Sequence, residues 1–205
     1  MEQARPRGRR PAGADTRGAI VAAARAEFSE RGFEAASMRA VARRADVDPA
    51  LVRHYFPDKG ELFAVSVLPQ GVDPREVADR ALDGAVDGLG QRLLTEVLTL
   101  WGRDDGVAFR AVLGAIAAGD ERTQAFVAFL SRNVFDRIVA AVPGDDREHR
   151  TALVGSQVMG LLALRYGLRM EPVASMPAGD LARLAGPTID RYLTGPLPRS
   201  SGAPS

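Results

Sequence analysis

The stretch 37-SMRAVARRADVDPALVRHYFPDK-59 divides into two short helical patterns, a tight turn between them and a third helix opening at its end. In the first pattern Val41, Ala42 and Ala45 recur at i, i+1 and i+4, with Met38 one turn earlier. That spacing collects them on one face and leaves Arg39, Arg43 and Arg44 on the others. Ser37 stands where an N-cap hydroxyl accepts a bond from an unpaired first-turn amide. Asp46 fills the turn, and Asp tolerates the left-handed backbone that such a turn often demands, though less well than glycine. Asp48-Pro49 restarts the helix with a capping side chain and a proline at the first helical position. The second helix then runs from Pro49 to about Tyr55. Val52 and Phe56 repeat at i, i+4 and are predicted to face the core, and small Ala50 is predicted to let the two helices approach closely. Leu51, Arg53, His54 and Tyr55 remain to face outward. A short helix with a cationic and aromatic outer face suits the major groove of DNA. Asp58 and Glu61 form a capping box for the third helix. Lys59 can join its unpaired amides in holding a phosphate, while Leu62, Phe63 and Val67 continue the apolar face.

Charge is distributed in keeping with this. The 205 residues have a net charge of only +1, but residues 1–60 carry 12 basic and 8 acidic side chains and the remainder 15 and 18. Positive potential is therefore concentrated around the two-helix stretch, where it aids association with a polyanion and makes it salt-dependent. Upstream lies an arm with Arg5, Arg7, Arg9 and Arg10, which serves either phosphate or minor-groove contact or simple solubility. The chain has no cysteine, which excludes disulfides and thiolate metal sites. No apolar run approaches the ~18 residues of a membrane span, and no apolar signal region follows the basic N-terminus directly. A cytoplasmic protein, nucleoid-associated when bound to DNA, is the expectation. One lysine, Lys59, stands against 26 arginines, a skew that hints at a GC-rich genome.

The frame around the opening stretch carries a family resemblance. Arg17, Ile20, Ala23, Ala24, Phe28, Gly32 and Phe33, then Ser37, Val41, Ala42, Ala45, Val47, Phe56, Lys59 and Leu62 stand at the spacing of the N-terminal domain of TetR-family transcriptional regulators, without a gap. The chain departs from that pattern where Asp46 replaces the usual turn Gly and Asp48 the usual Ser cap. Val52 stands for Leu, Arg53 for Tyr and Tyr55 for His. In the family the Tyr and His positions contact DNA, so the resemblance implies that Arg53 and Tyr55 inherit that work. Arg53 can reach either a guanine edge or a phosphate; Tyr55 can instead be a half-buried core residue. The DNA-binding set expected from motif and resemblance together is Ser37, Arg39, Pro49, Ala50, Leu51, Arg53, His54, Tyr55 and Lys59.

Beyond Val67 the run Leu68-Pro69-Gln70-Gly71-Val72-Asp73-Pro74 is a breaker cluster and marks a domain boundary. Helical patterns follow with no alternating strand. They span Asp73 to about Gly88 (Val77, Ala81, Ala85), Leu89 to Trp101, and Gly106 to Ala118 with Val107 in its stripe. A long helix capped by Asp120 reaches Val142, another runs from about Asp146 to Met170, and the last from about Ala178 to Leu193. The fold class expected is all-α: an N-terminal three-helix helix-turn-helix domain (16–68, after a flexible arm 1–15) and a larger C-terminal helical domain for ligand binding and dimerisation (73–194). A disordered tail (195–205) would end the chain.

The helix from Asp146 to Met170 is apolar around much of its circumference and rich in Gly and Ala, so it must be buried on more than one side. The resemblance implies that this helix and the last pair with their copies in a second subunit, with Val154, Val158, Leu161, Leu162, Leu184 and Tyr192 in the homodimer interface. A two-fold dimer would read a palindromic duplex. The resemblance also implies a small-molecule effector of unknown class, whose pocket Trp101, Phe109, Phe126, Phe129 and Met159 would line, with Arg132, Asn133 and Gln157 as polar anchors. No cofactor and no metal is expected. The competing reading, an all-helical carrier or enzyme with an incidental helix-turn-helix, finds no H-E-x-x-H, no G-x-S-x-G and no phosphate-binding glycine loop. Its only histidines are His54 and His149.

Overall fold

The computed structural model describes residues 15–69, 71–103, 105–117 and 121–197 and contains no strand among them. The arginines of the arm, Asp120, Ala118 and most of the C-terminal tail lie outside the described residues. Helices α1 (Thr16–Ala35), α2 (Met38–Ala45), α3 (Pro49–Tyr55) and α4 (Lys59–Val67) form the first unit, with α2 and α4 packed on α1 and α3 on α2. The caps read from the sequence are in place. Ala40 N donates to Ser37 Oγ at 3.1 Å, Ala50 N to Asp48 Oδ1 at 2.7 Å and Glu61 N to Asp58 Oδ1 at 2.7 Å. Asp46 adopts the left-handed conformation (φ 55°, ψ 48°) that ends α2 and sets the angle to α3. Ile20, Ala24, Val41, Ala42, Val52, Phe56 and Leu62 are buried together.

Next come α5 (Pro74–Leu82), α6 (Leu89–Gly102), α7 (Val107–Ala117) and α8 (Glu121–Leu130). α8 continues through a π-helical segment (Ser131–Phe135) into α9 (Asp136–Ala141), so the predicted helix to Val142 exists with one widened turn. α10 (Arg147–Leu162) likewise passes into a π segment (Ala163–Gly167) and stops short of Met170; α11 (Ala178–Thr194) closes the fold. The helix expected to reach Gly88 ends at Leu82 instead, leaving Ala85 exposed. The cause is Arg92, whose guanidinium takes the carbonyls of Ala81 (2.9 Å), Ala85 and Asp87 (3.1 Å) and folds the segment into a turn. Val107, placed in the α7 stripe by its spacing, is 56% exposed because it opens the helix before the buried face begins.

The most extensive helix pair is α6 with α11. Its approach needs glycine on both sides: a Cβ on Gly90 would meet Gly186 O at 2.3 Å, and one on Gly186 would meet the Gln91 backbone at 2.7 Å. α6 starts at Gly88 without a side-chain cap of its own, and the orphan amide of Gly90 donates instead to Asp190 Oδ1 of α11 at 2.6 Å.

Arg150, 5% exposed, closes the other end of α11. Its Nη1 donates to the carbonyls of Tyr192 (2.7 Å), Leu193 (3.1 Å) and Gly195 (3.1 Å), and its Nε to Asp145 O (2.8 Å). Removing the guanidinium strands buried carbonyls, each costing about 1–3 kcal/mol. Arg150→Met is therefore expected to lower the unfolding free energy in urea by about 3 kcal/mol. Arg150→Lys, a point charge on a flexible stem, should restore only part of it.

Candidate nucleic-acid interface

α3 is only seven residues long and buries Val52 alone, with Phe56 buried just beyond its end. Every other position except half-buried Leu51 is exposed: Pro49, Ala50, Arg53, His54 and Tyr55. Ala50 thus does not mediate the α2–α3 contact expected of it. It sits in the first turn beside Pro49, and a small outward side chain there keeps that end of the helix low in profile. Tyr55 is 38% exposed and meets the His54 ring edge-on, with centroids 5.3 Å apart. Ser37 and Arg39 are exposed at the start of α2, and Ser37 Oγ accepts the cap bond while its O–H can still donate outward. Asp46 and Asp48 are also exposed, so carboxylates flank the start of α3.

The three arginines of α2 divide. Arg39 and Arg43 are exposed. Arg44 turns to α1, where it pairs bidentately with Glu30 and reaches the buried Glu27 Oε2 at 3.3 Å. Arg31 Nε approaches the other Glu27 oxygen at 3.2 Å, as an ion pair without hydrogen-bond alignment. This cluster fixes α2 on α1 and hence the pose of α3. Lys59, expected to hold phosphate, is half-buried: its Nζ lies 4.4 Å from the Phe33 ring centroid and donates to Glu34 O at 3.2 Å. The ammonium joins the end of α1 to the start of α4.

The expected pocket residues separate as well. Trp101 and Met159 line one apolar cavity of about 30 Å³ with Leu68, Pro74, Val97 and Leu130. Phe109, Phe126 and Phe129 are 0–2% exposed core residues and are not among its lining. Of the anchors, Asn133 is committed internally: its amide donates to Phe129 O at 2.8 Å and its carbonyl accepts from Arg75 Nε at 2.9 Å. Arg132 is exposed and Gln157 half-buried.

The α10 residues expected at the dimer interface lie on the face turned into the chain's own core. Val154, Val158, Leu161 and Leu162 are at most 9% exposed within the single chain and belong to its own core, so they present no surface to a second copy. Outward stand Ala152, Ser156 and Gly160, and on α11 Leu184 (58% exposed), with Tyr192 half-buried. The resemblance implied these residues for the interface between copies, but an apolar face of a helix serves an intramolecular core equally well.

A tight two-helix reader on a third helix, set before a larger helical unit, defines a helix-turn-helix DNA-binding protein. Comparison with known proteins agrees. The family model described as bacterial regulatory proteins, tetR family, matches residues 20–65, and the tetracyclin repressor-like C-terminal domain matches residues 87–193. A TetR-family regulator from Streptomyces coelicolor A3 is 30% identical, the match covering 91% of this chain and 99% of that one, with a TM-score of 0.61. A TetR regulator from Rhodococcus is 18% identical over 85% of this chain and 94% of that one (TM-score 0.44). FadR from Bacillus subtilis, solved with stearoyl-CoA, is 14% identical over 87% and 98% (TM-score 0.45). No curated protein matches. The chain belongs to the TetR family of bacterial transcriptional regulators. No helix among the described residues is long and apolar enough to cross a membrane.

The Arg44 cluster has a pH signature. The hydrogen bond from Arg44, reinforced by its charge and that of Arg31, holds the Glu30 carboxyl below the usual carboxylate range. A carboxyl depressed in the folded state contributes stability above its unfolded pKa and loses it as pH falls through the folded one. Arg44→Gln should return the Glu30 titration, followed by carboxyl-carbon NMR, to the ordinary range. It should also remove that part of the acid sensitivity of the α1–α2 contact.

Proposed function

We propose that this regulator acts as a homodimer on a palindromic operator and is a repressor released by a small-molecule effector. The observation that carries the DNA part is the exposure of Pro49, Ala50, Arg53, His54 and Tyr55 on a helix anchored from behind by Val52 and Phe56. Helices α1–α4 (16–68) form the DNA-binding domain, and 73–194 the effector and dimerisation domain. The protein works in the cytoplasm, where its operator is, and has no catalytic role. Ser37, Arg39 and Arg43 position the domain on phosphates, while α3 reads base edges. Lys59 keeps α4 on α1 and contributes to phosphate binding only through its charge.

Dimerisation uses the outward side of α10 and α11. A Cβ added to Gly160 meets nothing within 4 Å, so this glycine leaves open space on the α10 surface. With Ala152 and Ser156 it gives a low surface onto which a second helix can settle, flanked by Leu184 and Tyr192. The effector enters near Trp101 and Met159. The present cavity has about the volume of one water molecule, so a ligand binds by favouring a wider conformation of the domain.

A random duplex should bind at low salt and lose affinity steeply between about 50 and 200 mM. Fluorescence anisotropy measures this, and no binding at the lower salt would sink the reading. On an operator selected from genomic fragments, Arg53→Ala should relax discrimination at one base pair per half-site by about 1–3 kcal/mol. A uniform loss across sequences would make Arg53 a phosphate contact. Gly160→Leu and Leu184→Arg should each shift sedimentation toward the monomer while leaving the melting temperature of the protomer little changed.

A further inference from the structure

Arg17 joins its own helix to two other parts of the fold. It lies in the first turn of α1, its guanidinium carbon stands 5.5 Å from the centroid of the Phe56 ring, and its Nη2 lies 3.7 Å from Asp73 Oδ2. Phe56 is the residue that ends α3 and is 1% exposed. Asp73 is the cap of α5, with Oδ1 accepting from Arg75 N at 2.9 Å. The two carboxylate oxygens of Asp73 thus have two tasks, one to start the first helix of the second unit and one to hold a cation of the first. The pair faces a cleft of about 490 Å³ between α1, Pro69, Gly71, Val72 and α5, bordered also by Asp15, Arg25 and Glu76.

We propose that Arg17 is a positioning residue for DNA reading, the ionic joint that fixes the end of α3 relative to the second domain. With α3 as the groove-reading helix, as proposed above, the angle it presents depends on where its C-terminal end is held. A cation shared between the face of Phe56 and the carboxylate of Asp73 holds it from the side of the larger domain. Neighbouring arginines are spoken for: Arg25 donates to the carbonyls of Ser66 (2.8 Å) and Leu68 (2.7 Å) and clamps the end of α4. Arg17 and Asp73 side chains are 38% and 30% exposed, so the joint is open to water and ions and is reversible. The first unit is also docked by α4 on α8, so breaking the joint loosens the α1 and α3 side of the unit against α5 rather than releasing it.

The substitution that isolates the joint is Asp73→Asn. An amide oxygen still caps Arg75 N, but the charge facing Arg17 is gone. The chain has no cysteine, so Glu34→Cys and Glu148→Cys place one nitroxide on each unit, and dilution with unlabelled protein removes signals between copies. Distances are measured by pulsed electron paramagnetic resonance without DNA, and operator affinity separately. Asp73→Asn, Arg17→Gln and the double variant should broaden the distance distribution to the same extent. Each should weaken operator binding by about two- to fivefold, the range of a partly exposed ion pair, with the double variant no worse than the singles. Arg80→Gln, which breaks the Arg80–Glu96 pair inside the second unit, should leave the distribution narrow. An unchanged distribution in both single variants, or losses that add in the double, overturns the joint. Broadening in a protein that binds no DNA in any form upholds the joint and overturns the DNA reading instead.

Discussion

Helices that end inside a protein leave carbonyls turned away from water, and the fold depends on arginine to take them up. Arg25 closes α4, Arg92 closes α5, Arg150 closes α11, and Arg165 holds the carbonyls of Val173 and Met176 in the turn before α11. In each case the guanidinium comes from another helix, so the bond that ends one element also docks it on a neighbour. A planar fork of five donors can serve several carbonyls at once, which an ammonium cannot do in fixed geometry. For Arg25, Arg92 and Arg150 the positive charge also lies at the C-terminal, negative end of the helix that it closes, where it is favourable. A chain with 26 arginines and one lysine has built its helix ends from that group.

The same economy shapes the DNA-facing unit. A seven-residue helix makes few bonds of its own and is marginal alone. α3 is held by the Asp48 cap at one end, by buried Val52 in the middle and by Phe56 at the other end, beneath the Arg17 guanidinium. α2, on which it packs, is tied to α1 by Arg44 and its two glutamates. Charged groups behind the unit are paired with one another, and Arg39, Arg43 and Arg53 are left exposed. The division of labour is physical: paired arginines give position, and exposed ones give attraction to a polyanion.

Much of this was legible beforehand. Ser37, Asp48 and Asp58 cap helices because capping needs only a side chain and an amide two or three residues away. The left-handed Asp46 and the buried stripe of α2 were readable for the same reason, since local spacing dictates them. Lys59 was not legible as a tie between helices. Phe33 and Glu34 lie some 25 positions away, and no local pattern reports that they come within reach of its ammonium. The early end of α5 depends on Arg92, and the cap of α6 depends on Asp190, a hundred residues downstream.

By itself the sequence determined the all-helical class, the helix-turn-helix with its caps and turn, and the membership that its spacing announced. Those features rest on short-range hydrogen bonds and on helical periodicity, which neighbours in the chain set. Tertiary structure decided which side of α10 faces inward. Much of its circumference is apolar, so the sequence does not say which neighbour covers which side. The choice fell to the shape of the core, which takes Val154, Val158, Leu161 and Leu162 and leaves Gly160 and Ser156 outside. It also decided which arginines are spent on carbonyls and carboxylates and which remain free. A charged side chain takes whichever partner folding brings within about 3 Å, and only packing brings those partners there.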